Sequence, residues 1–222
     1  MQNMKLLDVT LRDGGYKTNF CFSPEIISNV LTSLDQSGVE YIEIGYRNGS
    51  FKPIPNIGPA GMCAEEYINY CKSWIQFAKL TVILHPKNIS WSDMEEMQKC
   101  GVDSVRICFP TQHPLLGLKT IEMAQQCNFE VFVNITRVSQ YTQEQLLEWI
   151  HQIEPYNVKA IYLADSNGNL TPYEVSKLFT YLNEKSTASF GFHAHDNLFL
   201  AQANAVAALN HGVEYIDASL YG

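Results

Sequence analysis

Short apolar, β-branched runs alternate along the chain with longer stretches of helical period, and this alternation predicts the fold. Strands are predicted at Leu6–Thr10, Tyr41–Tyr46, Lys79–His85, Ser104–Phe109, Glu130–Thr136, Ala160–Asp165, Ser189–His195 and Tyr215–Leu220. Their Ile, Val, Leu and Tyr content is that of strands buried on both faces. Helix signals fall between them. Ser23-Pro24-Glu25 supplies an N-cap with proline at the first helical position, and Gly38 closes that helix. The segment from Ser90 to Lys99 has a cap at Ser90 or Ser92 and stops before Gly101. Thr142-Gln143-Glu144-Gln145 has the type and spacing of a capping box, and Thr171-Pro172-Tyr173-Glu174 has both the box and the proline. An Ala-rich helix is predicted from Asn197 to Asn210, ending at Gly212.

Alternation of this kind belongs to the α/β class, with a parallel sheet joined by right-handed crossovers. Eight strands and seven full helices predict a (β/α)8 TIM barrel, a fold of typically about 250 residues. A doubly wound open sheet is the rival, but no G-x-G-x-x-G run follows the first strand. The sequence stops at Gly222, just after the eighth strand. The expectation is therefore a single catalytic barrel domain over residues 1–222, truncated before its last helix and forming the N-terminal part of a longer protein. An N-terminal or partner helix covering that flank is the alternative.

Composition narrows the function. Of 222 residues, 46% are hydrophobic and 17% charged, which suits a soluble globular chain with a core able to hold a buried site. The net charge of −8 and the absence of a Lys/Arg cluster argue against nucleic acid as a partner. Cys21, Cys63, Cys71, Cys100, Cys108 and Cys127 contain no C-x-x-C pair, and are expected as reduced thiols. Asp8, Arg12 and Asp13 interrupt any apolar leader, and no run approaches the 18 residues of a membrane span. A cytoplasmic location without membrane contact is expected.

Barrel enzymes carry their working residues at the C-terminal ends of the strands and in the loops that follow. Strand one leads into Thr10-Leu11-Arg12-Asp13-Gly14-Gly15, and strand seven into His193-Ala194-His195-Asp196-Asn197. His193 and His195, two apart, project to one side of the strand. They are either two polar residues satisfied at a strand end or, with Asp13, a facial N/O set for an octahedral cation, suited to Mn2+ or Mg2+, with Co2+, Fe2+ or Zn2+ also accommodated. Arg12 either pairs with a neighbouring carboxylate or presents its fork to a substrate carboxylate or developing enolate oxygen. Gly14 and Gly15 leave room for a ligand.

The run LDVTLRDGGY from Leu7 to Tyr16, and the run beginning GFHAHDNLFLAQANAVAALNHGVEYIDASLYG at Gly191, together resemble the two signatures of the DRE-TIM metallolyases. These are the HMG-CoA lyase-like, pyruvate carboxyltransferase-type enzymes, and the likeness is greatest to the 4-hydroxy-2-oxovalerate aldolase branch. The resemblance implies that Asp13, His193 and His195 bind the divalent metal and that Arg12 steadies the enolate. It also implies a small 2-oxo acid substrate, a homo-oligomer and an aldehyde dehydrogenase partner for the full-length protein. Glu43 stands where the family commonly has an acidic residue. Arg47, Asn134, Thr136, Asp165 and Asn197 are further candidates around the substrate, Arg106 is a candidate support, and His85 is expected to be packed before Pro86.

The predicted reaction is cleavage or formation of a C–C bond in a 4-hydroxy-2-oxo acid through a pyruvate enolate. Where the aldolases carry a catalytic histidine this chain has Tyr16, which could act as a general acid/base or only as a hydrogen-bond donor. The alternatives are an acyl-CoA-dependent 2-oxo acid synthase or lyase of the isopropylmalate, citramalate or HMG-CoA type, and a non-catalytic barrel serving as a binding module.

Overall fold

A computed structural model describes residues 4–220; residues 1–3 and 221–222, the ends of the predicted domain, lie outside the described part. Eight parallel strands close into a barrel in sequence order: β1 Lys5–Asp8, β2 Tyr41–Arg47, β3 Lys79–Leu84, β4 Ser104–Cys108, β5 Glu130–Thr136, β6 Ala160–Asp165, β7 Phe190–Ala194 and β8 Tyr215–Ala218. Closure is made by β1 pairing with β8 from Lys5↔Tyr215 to Asp8↔Ala218.

Among the described residues seven crossover helices clothe the barrel: Pro24–Gln36, Glu65–Lys72, Trp91–Lys99, Pro114–Gln126, Gln143–Ile153, Pro172–Asn183 and Ala201–Asn210. Their starts follow the local chemistry. Ser23 accepts from the Ile26 amide, and Ser90, Thr142 and Thr171 each close a reciprocal capping box with the residue three further on. The last helix begins at Ala201, four residues later than the pattern predicts. Asp196 to Phe199 make a turn instead, and the Asp196 carboxylate accepts the Ala201 amide. Among the described residues no helix is long and apolar enough to cross a membrane.

Two local departures from the predicted strands position the site. First, β1 ends at Asp8, because its carboxylate accepts both the amide and the hydroxyl of Thr10 (2.9 Å each) and draws the backbone out of the strand. Thr10–Asp13 then wind a single helical turn, so Arg12 and Asp13 stand above the barrel mouth, not on the strand. Second, β2 carries a bulge at Gly45. Glu43 faces Thr81 and Tyr46 faces Ile83, so three steps along β2 match two along β3. Gly45 has φ +153°, and a Cβ there would overlap the Ala60 carbonyl, so only glycine fits.

Inside the barrel, Tyr41, Phe132, Tyr162 and Tyr215 pack edge-on or tilted around Leu7, with centroids 5.0–6.3 Å apart. This aromatic plug closes the lower barrel. Above it the interior turns from apolar to charged.

Candidate metal centre

Three strands that read as apolar runs each place one charge inside the barrel: Glu43 on β2, Arg106 on β4 and Asp217 on β8. Arg106, wholly buried, donates from Nε and Nη2 to the two oxygens of Glu43 at 2.7 Å each, and from Nη1 to Asp217 Oδ2 at 2.6 Å. Its guanidinium lies 4.9 Å from the centre of the Tyr162 ring. Arg12 reaches down from its helical turn, donating to Glu43 from Nε and to Asp13 from Nη1, both at 2.5 Å. Asp217 Oδ2 also takes a hydrogen bond from His193 Nδ1 at 2.7 Å.

The loop closes on itself, because His193 Nε2 lies 3.6 Å from Asp13 Oδ2. Asp13, Arg12, Glu43, Arg106, Asp217 and His193 thus form one continuous ring. Its three carboxylates outnumber its two guanidiniums, leaving one negative charge when the histidine is neutral. Burial alone would push the Asp13 carboxyl up, but Arg12 and the two histidines outweigh it and hold it below the ordinary aspartate range. Asp217 is likewise held low by Arg106 and His193 against its burial. Burial, and then the neighbouring His193, push His195 below the ordinary imidazole range, so it is neutral at pH 7.

His195 Nε2 lies 3.7 Å from the same Asp13 oxygen, and the ligand atoms of Asp13, His193 and His195 all fall within 4.8 Å of one another. An ion about 2.1 Å from each donor could bridge the separations from Asp13. The chemistry of the set fits as well as its size. Asp217 accepts a hydrogen bond from His193 Nδ1–H, which leaves the Nε2 lone pair on the Asp13 side, as carboxylates behind metal-binding histidines do. A site whose carboxylates outnumber its guanidiniums, with two imidazoles beside a carboxylate held low, is matched to a divalent cation.

The other sequence candidates divide. Asn134, at the upper end of β5 and on the same side as Phe132, has a buried Oδ1 with no hydrogen-bond partner. Asp165, ending β6, accepts the Leu170 amide through Oδ2 and leaves a buried Oδ1 unpartnered. Unpaired buried acceptors of this kind cost about 1–3 kcal/mol each, so both are places where a ligand donor or a water gains. Thr136 is half-buried at the end of β5. Asn197 is exposed and donates to the Asn167 carbonyl, tying one mouth loop to the next.

Arg47 stands apart from the mouth. The Gly45 bulge reverses the side-chain alternation, so Arg47 points outward to Asp93, Glu96 and the Cys63 carbonyl. Tyr46 takes the inward place. Its hydroxyl lies 3.0 Å from that of Tyr16, and its ring stacks on His85 (5.5 Å, 10°). Sequence reasoning passed over Tyr46 and Asp217. A lone acid in the apolar run Tyr215-Ile216-Asp217-Ala218 was the available signal for the latter, and Glu43 in its own strand is the parallel.

Fold and site together define a class: a closed (β/α)8 barrel with a carboxylate–bis-histidine set at its C-terminal mouth. The comparisons then place the chain. The HMGL-like family model matches residues 3–222, and the chain belongs to that family. It is 29% identical over 221 residues to the 4-hydroxy-2-oxovalerate aldolase of Carboxydothermus hydrogenoformans (strain ATCC BAA-161 / DSM 6008 / Z-2901), covering 100% of this chain and 66% of that protein. It is 28% identical over 219 residues to the oxaloacetate decarboxylase of Mycobacterium tuberculosis (strain ATCC 25618 / H37Rv), covering 98% and 64%. The chain thus spans just under two thirds of the curated relatives it matches. Among solved structures it resembles the N-terminal domain of a candidate aldolase from Bacteroides vulgatus, with TM-score 0.85, 28% identity, and coverage of 99% of this chain and 73% of that one. The carboxyl transferase domain of Rhizobium etli pyruvate carboxylase shares the fold at 18% identity and TM-score 0.82, covering 100% of this chain and 40% of that one.

Proposed function

We propose that this barrel is the catalytic part of a divalent-metal-dependent aldolase. It would cleave or form the C3–C4 bond of a 4-hydroxy-2-oxo acid through the enolate of pyruvate. The observation that carries this reading is the ring joining Asp13 and His193 to Arg12 through buried Glu43, Arg106 and Asp217. That ring sets two ligand side chains and a guanidinium in fixed relation, as a preorganised electrostatic site requires. The relatives named 4-hydroxy-2-oxovalerate aldolase support it.

Asp13, His193 and His195 hold the cation, with Mn2+ or Mg2+ the first choice. A bound ion would supply Lewis-acid polarisation of the 2-oxo carbonyl. Arg12 brings a fixed positive charge to the oxygen on which the enolate charge develops. Tyr16, at the rim beside Tyr46, transfers the proton of the 4-hydroxyl. Asn134 and Asp165 offer unpartnered acceptors to substrate donors or water.

Decarboxylation of a 3-carboxylated 2-oxo acid is the second reading, favoured by the relative named oxaloacetate decarboxylase. Loss of CO2 leaves the same enolate and needs no base for a hydroxyl group.

The test is pyruvate release from a panel of 4-hydroxy-2-oxo acids and from oxaloacetate, with Mn2+, alongside Asp13→Ala. Acetyl-CoA with a 2-oxo acid, followed by thiol release, tests the acyl-CoA alternative in the same run. Aldol cleavage that disappears with chelator and in Asp13→Ala is expected. Cleavage that survives either one overturns the mechanism.

A further inference from the structure

Tyr16 does not stand alone at the rim. Its hydroxyl lies 3.0 Å from that of Tyr46 and 2.9 Å from Ser50 Oγ, so three hydroxyls form a short chain centred on Tyr16. The outer end meets solvent, since Tyr16 is 52% exposed and Ser50 half-buried. The inner end is Tyr46, 5% exposed and close to Arg12 and Cys108.

Each member is held by its own stretch of backbone. Tyr16 rides on the Gly15–Thr18 turn, which ends in two consecutive left-handed residues, Asn19 (φ 52°) and Phe20 (φ 60°). That costly conformation is pinned by the burial of Phe20, by its ring against Tyr16 at 5.0 Å, and by Asn19 bonds to the carbonyls of Pro55 and Asn56. Ser50 follows a second left-handed pair, Asn48-Gly49, which is fastened to Met62, Gly61 and Asn88. Tyr46 owes its inward direction to the Gly45 bulge, and His85 stacks on its ring. The 58–62 segment fastens all three: its Gly58 and Ala60 amides donate to the Asn19 and Phe20 carbonyls, its Gly61 and Met62 carbonyls accept from Gly49 and Asn48, and the Ala60 carbonyl closes on Gly45.

We infer that Tyr16 and Ser50 form a hydroxyl relay, aimed by Tyr46, that carries the reaction's proton between the barrel mouth and water. The inference rests on the reading that Tyr16 transfers the proton of the proposed reaction. In the cleavage direction the substrate O4–H bond breaks as that proton reaches Tyr16 Oη. Tyr16 passes its own proton to Ser50 Oγ, and Ser50 passes one to water. The C3–C4 electron pair remains on the enolate, the aldehyde leaves, and one proton returns along the same chain to C3 to give pyruvate. Tyr46 is a positioning residue. Its hydroxyl donates to Tyr16 Oη and so aims the Tyr16 proton at Ser50. The charged and titratable groups facing this chain are Arg12 from the first turn, His85 and Lys87 after β3, and Cys108 on β4.

Two assays separate this inference from the aldolase reading. One is pyruvate release from 4-hydroxy-2-oxovalerate. The other is exchange of the pyruvate methyl hydrogens in D2O, followed by mass spectrometry with Mg2+ present, which needs proton transfer but no C–C cleavage. Tyr46→Phe and Ser50→Ala should each slow exchange about 10-fold, the worth of one hydrogen bond in the transition state. KM for pyruvate and Mn2+ affinity by calorimetry should stay within about 2-fold, the solvent isotope effect should rise, and Ser50→Thr should restore the rate. Exchange at the unsubstituted rate in Tyr46→Phe/Ser50→Ala, or in Tyr16→Phe, overturns the relay even where cleavage is metal-dependent. Exchange with the expected variant pattern but no cleavage of any 4-hydroxy-2-oxo acid overturns the aldolase reading and leaves the relay standing.

Discussion

Asp217→Asn isolates the link on which the metal centre depends. The substitution keeps the side chain's shape and removes its charge from a position where Oδ2 serves two donors, Arg106 Nη1 at 2.6 Å and His193 Nδ1 at 2.7 Å. One amide oxygen can still accept, but the pairing charge is gone. Arg106 is wholly buried and retains only Glu43 as a charged partner. Breaking a buried ion pair on one side costs about 3–5 kcal/mol, and the retained oxygen puts this case near 3. For a domain of this size about 3 kcal/mol lowers Tm by roughly 6–12 °C. His193 meanwhile has to share one uncharged acceptor with Arg106, which weakens the bond that orients its ring, and the ring of charges moves from net −1 to neutral. Removing such a support costs about 10- to 100-fold in metal affinity, or roughly 1.4–2.8 kcal/mol. Calorimetric titration with Mn2+, together with thermal unfolding with and without the ion, reads both quantities. Glu130→Gln is the control. It weakens the bonds to Tyr41 and Lys79 at the opposite end of the barrel and should lower Tm slightly with metal affinity unchanged. A folded Asp217→Asn protein that binds Mn2+ as tightly as the unsubstituted chain would refute the claim that Asp217 orients His193.

Saturating Mn2+ should raise Tm, since 100-fold excess over Kd stabilises by about 2.7 kcal/mol, and the rise should be absent in Asp13→Ala; equal shifts in both place the ion elsewhere. Gly45→Ala should cost about 3 kcal/mol or more in urea unfolding, because the new Cβ meets the Ala60 carbonyl in a backbone region that disfavours side chains; a neutral effect would mean the bulge can be undone. Burial lifts Asp8 from 3.8 to about 6 despite its bonds from Thr10. The folded state therefore binds more protons between those values, and stability falls as pH rises through them, by about 3 kcal/mol in all. Asp8→Asn should gain on the unsubstituted chain by that order between pH 4 and pH 8 in urea unfolding; parallel pH curves for the two proteins would contradict the assignment.

Much of the fold was legible because it is written in local physics. Apolar runs and helical periods marked eight strands and seven crossovers, and the caps at Ser23, Ser90, Thr142 and Thr171 form as their spacing implies. A side chain three residues from its amide partner needs no tertiary context to find it. Strand ends were less legible. Val9 and Thr10 read as the end of β1, but the bonds from Thr10 to the Asp8 carboxylate bend the chain away after Asp8, and Asp196 delays the last helix in the same manner.

The site was legible only as two fragments. Arg12-Asp13 and His193-x-His195 were visible as residue types at the ends of predicted strands, and the sequence by itself determined that those types lie on the working face. Their relation was a matter of closure. Asp13 stands next to His193 because β8 pairs with β1, and the charges that join them come from β2, β4 and β8, so neither the ring nor its net charge exists in any single segment. The same holds for Arg47 and Tyr46. Alternation along β2 points Arg47 inward, but one extra residue at Gly45, where the Ala60 carbonyl leaves room only for glycine, reverses the sides. Local propensity sets which elements form; side-chain direction beyond a bulge, and the pairing of charges across a barrel, are decided only when distant strands meet.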